Sequence, residues 1–271
     1  MASLDRFLDN LLSRGRAYFS REDALKALGQ SQDAFAAAAR RLIRKSRLAN
    51  PKRGFYLIVR PEDKAMGAPD PTRWIDPLMK YLDIDYRISL LRAAAFHGSS
   101  HQAAMVFQVV VPKQLRSFDL GRHKIQFVYQ TPKAFVKTNQ TEWLGQIKTD
   151  AGFAKIAGIE VTLLDSIRYF HKAAGINGAA QIIHDIGGKA NPHKLAKAAA
   201  AYENSAVRRL GYLLYHFGHK RQANALVSYA KKAKSMKPLD PSVRAVVEDL
   251  NEPEDDSNWM LTINEPVEID L

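Results

Sequence analysis

A capped helix that turns basic, followed at once by a hairpin, does most to restrict how this chain can fold. Ser31 precedes the run QDAFAAAARRLIR, residues 32–44. A serine at that position accepts a hydrogen bond from the free amides of the first turn, and Asp33 favours the positive end of the helix dipole. The alanines and arginines are strong helix formers. Phe35, Ala38, Ala39, Leu42 and Ile43 fall on one face, while Gln32, Asp33, Ala36, Ala37, Arg40, Arg41 and Arg44 fall on the other. Arg47-Leu48-Ala49-Asn50 then reads as a short strand, Pro51-Lys52-Arg53-Gly54 as a turn, and Phe55-Tyr56-Leu57-Ile58-Val59 as a strand of β-formers.

Upstream, Leu4, Phe7, Leu8, Leu11 and Leu12 recur at helical spacing, and Gly15 ends that helix. Tyr18 and Phe19 are extended. Ser20 with Asp23 three residues on marks a second capped helix, with Leu25 and Leu28 facing inward and Gly29 as its stop. Helix, short strand, helix, helix and hairpin, in that order over residues 1–60, predict an N-terminal winged helix-turn-helix.

The same sixty residues hold the charge. They contain 13 Lys+Arg against 5 Asp+Glu, a net of +8 out of +12 for the chain, and the other 211 residues carry 27 against 23. A basic excess gathered at one end is the footprint of a phosphate-binding surface. The expected ligand is double-stranded DNA. Ser31 and Ala36 allow close approach of the helix to a major groove. Gln32 and Arg40 are the candidates for base edges, because both side chains can bond bidentately. Arg41, Arg44, Lys45, Lys52 and Arg53 are the candidates for phosphates. Two copies are needed to read an inverted repeat, as a dimer or as monomers meeting on DNA.

A chain of 271 residues with 46% hydrophobic content can build two domains with real cores. The absence of cysteine excludes disulfides, cysteine-rich zinc sites and cysteine nucleophiles, and fits a reducing cytoplasm. The first residues show no apolar leader, and no apolar run approaches a membrane span, so a cytoplasmic protein without membrane contact is expected.

Beyond the first module, residues 61–74 read as a linker punctuated by Pro61, Gly67, Pro69 and Pro71. Residues 75–247 read as a larger α+β domain with a mixed sheet and a helical C-terminal half, and residues 248–271 as an acidic extension. Strands are expected at 105–111, 124–129, 142–148 and 153–156, then helices at 159–170, 179–186, 192–202, 205–217 and 221–232. Arg208-Arg209, His219-Lys220-Arg221 and Lys231-Lys232-Lys234 read as solvated faces of amphipathic helices or as an extension of the DNA surface. Folding back of the acidic 248–256 stretch onto them is a further expectation from charge alone.

Enzyme chemistry is sparse. His97 and His101 are four apart, but no third ligand accompanies them, and Gly98-Ser99-Ser100 breaks a helix between them. Gly98-Ser99 lacks the downstream carboxylates that nucleotidyl transfer requires. No P-loop, GxGxxG or nucleophile elbow occurs. No catalytic residues, metal or cofactor are therefore expected.

The stretch YFSREDALKALGQSQDAFAAAARRLIRKSRLANPKRGFYLIV, with Lys52-Arg53-Gly54-Phe55-Tyr56 at its hairpin, resembles the amino-terminal domain of the AbiEi-type abortive-infection antitoxins. Tyr86, Leu90, Ala93, Ala94, His97, Gly98, His101-Gln102 and Gln108-Val109-Val110-Val111-Pro112 resemble that family's second domain. The resemblance covers roughly residues 15–230. It implies a repressor that autoregulates a toxin–antitoxin operon at inverted repeats in its own promoter. It also implies an antitoxin to a nucleotidyltransferase-like toxin with which no stable complex is expected. The alternative is a winged-helix adaptor that binds protein or RNA.

Overall fold

The computed structural model describes residues 3–99, 106–243 and 254–269. The chain is α+β and divides into two compact units. The first comprises residues 3–87, 106–130 and 146–156; the second comprises 88–99, 131–145, 157–243 and 254–269.

The first unit opens with α1 (Leu4–Ser13), β1 (Tyr18–Ser20), α2 (Arg21–Leu28), α3 (Gln32–Arg44), β2 (Leu48–Lys52) and β3 (Phe55–Ile58). Ser20 and Asp23 form the reciprocal capping box that their spacing predicts. The three strands form an antiparallel sheet in the order β1-β3-β2. Leu4, Leu8, Phe19, Phe35, Leu42 and Tyr56 meet in one core, where Phe19 and Tyr56 stack 5.3 Å apart and Phe35 meets the Tyr56 ring edge-on.

Residues 61–74 form two 3-10 turns (Pro61–Asp63 and Pro71–Arg73) that lead into α4 (Ile75–Tyr81). Trp74 is buried, and its indole N–H donates to the Pro69 carbonyl at 2.9 Å. Arg73 binds the Asp150 carboxylate through Nε and Nη2, at 3.1 and 2.6 Å, and Arg60 reaches the same carboxylate at 3.1 Å. This two-fold grip holds the Asp150 carboxyl below its usual range and raises the Arg73 guanidinium.

Most residues of a mixed six-stranded sheet, in the order β6-β7-β5-β4-β9-β8, also belong to this unit. The strands of this sheet are β4 (Arg87–Ile88), β5 (Val106–Val111), β6 (Phe118–Leu120), β7 (His123–Tyr129), β8 (Leu144–Thr149) and β9 (Gly152–Ala157). β5 and β7 run parallel, in a register that sets Gln108 opposite Gln126, and β6 returns antiparallel to β7. Arg87 is fully buried and donates to Gln130 Oε1 at 3.0 Å.

The second unit is helical. It contains α5 (Leu90–Phe96), α6 (Pro132–Thr138), α7 (Ile159–Arg168), α8 (Gly175–Ile186), α9 (Pro192–Ala199), α10 (Asn204–His216), α11 (Lys220–Asn224) and α12 (Val227–Lys231). A small sheet follows in the order β10-β12-β11, from Lys237–Pro238, Leu261–Ile263 and Glu254–Asp256. Trp259 and Leu261 belong to the same core as Leu163, Ile182, Leu210 and Leu214.

Candidate nucleic-acid interface

The serine cap of α3 forms as the sequence predicts, with the Ser31 hydroxyl accepting from the Ala34 amide at 3.2 Å. Phe35, Ala39 and Leu42 point into the core. Ile43 does not: it is 39% exposed, which corrects the expectation that it packs inward. It lies eight residues after Phe35, a rotation of roughly 80° at 100° per residue, so the apolar stripe is narrower than expected.

The outer side of α3 presents Ser31, Gln32, Asp33, Ala37, Arg40, Arg41 and Arg44, with Lys45 at its C-cap and Ala36 half-buried. Arg40, Arg41, Arg44 and Lys45 are all exposed, and none forms an ion pair among the described residues. Other cations of this region are neutralised within it. Arg47 pairs with Asp5 and Asp9 of α1, and Arg16 pairs with Asp23 at 2.7 Å.

The hairpin differs from its sequence reading. β2 continues through Pro51 to Lys52, so the turn is only Arg53-Gly54 and Lys52 pairs with Phe55. The pairing register shifts between Ala49 and Lys52, a bulge that accommodates the proline. The Asn50 amide bridges it, donating to the carbonyls of Lys52 at 2.7 Å and Phe55 at 2.6 Å. Gly54 sits at φ +85°, and a Cβ there would stand 2.5 Å from the Tyr81 hydroxyl. That hydroxyl donates to the Arg53 carbonyl at 3.2 Å, and the Tyr81 ring lies 5.3 Å from Phe55. Neither Asn50 nor Tyr81 stands out in the sequence. An asparagine directly before a proline was the available signal for the first, and the second has no local one.

The two basic residues of the hairpin differ in environment. Arg53 is exposed at the turn. Lys52 is half-buried: its ammonium donates to the Arg116 carbonyl at 3.4 Å and lies 4.8 Å from the Phe118 ring centroid and 5.8 Å from that of Phe127. Burial, and then the nearby Arg116 charge, lower its pKa.

Residues 87–216 match the family model of the AbiEi antitoxin C-terminal domain. This segment is an AbiEi antitoxin domain. No curated protein matches the sequence. Among solved structures, the RV2827C protein from Mycobacterium tuberculosis is similar in fold, with a TM-score of 0.65 at 16% identity over 95% of this chain and 90% of that one. The AbiEi match supports an antitoxin role.

Inside the AbiEi domain, polar side chains serve its own framework. His97 caps the end of α5, and its Nε2–H donates to the Ala157 carbonyl at 2.7 Å, while burial lowers its pKa. His101, its proposed neighbour, lies outside the described residues. Ser99 donates to Asp185 at 2.6 Å, and Ser89 and Tyr202 both donate to the fully buried Asp165, at 2.6 and 2.8 Å. Among the described residues, no three His, Asp or Glu side chains converge as a metal site. No helix among them is long and apolar enough to cross a membrane.

Arg208 and Arg209 are not a solvated face. Both are buried; Arg208 donates to the carbonyls of Ser235 and Met260, at 3.2 and 2.6 Å, and Arg209 to that of Pro238 at 3.0 Å. The carbonyls of an incoming strand give each guanidinium a reason to be inside. Lys220, Arg221, Lys231, Lys232 and Lys234 are exposed as expected. Of the acidic stretch, Glu254–Asp256 forms the strand β11, and residues 248–253 lie outside the described residues.

Proposed function

We propose that residues 1–60 are a winged helix-turn-helix that binds duplex DNA, and that the protein represses its own toxin–antitoxin operon. The observation that carries this reading is the set of four cations in six positions at the end of α3, Arg40, Arg41, Arg44 and Lys45, all exposed and without an ion pair among the described residues. Small residues at Ala36 and Ala37 precede them. A helix with that sequence of sizes and charges can enter a major groove, with Gln32 and Arg40 toward base edges and Arg41, Arg44 and Lys45 toward phosphates. Arg53 at the hairpin turn adds a contact beside it. The AbiEi domain supports an antitoxin role, and we assign the counterpart to a nucleotidyltransferase-like toxin, with action on it not requiring a stable complex. The protein works in the cytoplasm, pairing on an inverted repeat.

The test is a gel shift on the DNA upstream of the protein's own gene, at two salt concentrations, with an unrelated duplex as competitor. Retention of the native fragment against excess competitor is the expected result. Absence of binding to either duplex rejects the reading and favours a protein-binding adaptor.

A further inference from the structure

We propose that Arg116, in the loop before β6, is a second phosphate contact, so that the DNA surface runs from the hairpin onto the six-stranded sheet. This inference rests on the DNA-binding reading of the same unit. It starts from the position of Lys52. β2 packs against β6 within the first unit, and the Lys52 ammonium fixes the Arg116 carbonyl at 3.4 Å while lying on the Phe118 ring. The backbone of Arg116 thereby lies within reach of the Lys52 side chain, one residue before Arg53. The side chain of Arg116 is exposed and forms no ion pair among the described residues.

Lys52 thus links the exposed Arg116 to the hairpin, where Arg53 is the next residue along the chain and also exposed. β6 also carries Asp119, whose register partner on β7 is Lys124. Like charges held together repel one another, and the Arg116 charge adds to the larger effect of burial in lowering the Lys52 pKa. A polyanion relieves that repulsion. Lys52 itself is already engaged with a carbonyl and two rings, so the groups available to a ligand are the two guanidiniums. Each presents a planar fork suited to a phosphate. A duplex backbone, which offers phosphates in a row, fits two such forks side by side better than an isolated anion does. In this arrangement Lys52 is a positioning residue: it orders Arg116 and adds to the field without touching DNA.

The experiment uses the full chain and fluorescence anisotropy on two duplexes, the fragment upstream of its gene and a scrambled one, over a series of salt concentrations. Arg53→Ala and Arg116→Ala are each expected to lower the slope of log affinity against log salt by about one unit, and the double variant by about two, with the preference between duplexes unchanged. Arg116→Lys is expected to keep the wild-type slope, which ties the effect to charge rather than to folding. A wild-type slope in Arg116→Ala, beside a reduced one in Arg53→Ala, overturns this inference and leaves the DNA-binding reading intact. A wild-type chain that binds neither duplex overturns both.

Discussion

The indole ring of Trp259 occupies the space in which a side chain at Gly211 would begin. Gly211 is in the middle of α10, where glycine costs helix stability, so the close approach of the ring is the reason for its presence. A Cβ at 211 would overlap three carbons of the six-membered ring, and both residues belong to a sealed part of the core. Gly211→Ala is expected to destabilise the second unit by about 3 kcal/mol, the scale of an overpacked core. Denaturant melts followed by circular dichroism check it; a midpoint equal to wild type would show that the ring can move aside at little cost.

Asn50 makes a separate prediction for the hairpin. Its amide serves two carbonyls at the bulge, Lys52 and Phe55. Asn50→Ala leaves both to water or to nothing, and is expected to cost about 1–2 kcal/mol. Amide exchange of the hairpin should accelerate more than that of α1. Uniform exchange across the whole unit would argue that the bulge holds without the side chain.

The Arg73–Asp150 pair sets a pH dependence. The folded-state pKa of Asp150 is depressed, chiefly by the hydrogen bond from Arg73. Its contribution is therefore fully present above the ordinary carboxylate value and is lost as pH falls through the lower folded-state value. Acid titration of the wild-type chain should show this loss. Asp150→Asn should remove that part of the acid sensitivity and lower stability near neutrality by about 1 kcal/mol, a modest figure because both side chains are partly solvated. Parallel acid curves for the two proteins would contradict the assignment.

For the recognition helix as proposed, Arg40 and Arg44 should separate by kind of effect. Arg40→Ala is expected to cost about 1–3 kcal/mol on the native operator and to relax choice at one base pair. Arg44→Ala should weaken all duplexes alike. Binding to a panel of single base-pair variants distinguishes them, and equal losses across the panel for Arg40→Ala would move that residue to the phosphates.

Much of the first module was legible because its signals are local. Ser20, Asp23 and Ser31 cap helices with atoms three residues away, and Phe35 and Leu42 fall inward at helical spacing. The failures share a different origin. Ile43 was assigned inward because an apolar residue next to Leu42 fits a stripe wider than the real one. Pro51 read as a turn residue because the Asn50 side chain that lets a strand pass through it is visible only in three dimensions. Arg208 and Arg209 read as surface because their acceptors, at Ser235, Pro238 and Met260, lie 27 to 52 residues away. Lys52 belonged to a sequence pattern, a basic turn, but its ring partners are 66 and 75 residues further on, and no spacing rule reaches that far.

The seat of Trp259 on α10 also bears on how the protein is made. A ribosome delivers this chain from the amino end, and the helices of the second unit emerge well before the residue that covers Gly211. Until translation has passed Leu261 and the tunnel has released it, that core stays open and its apolar wall stays available to chaperones. A premature stop between α10 and β12 would therefore yield a polypeptide whose amino-terminal module is complete in sequence and whose second core is unsealed, a product that proteases would be expected to clear first.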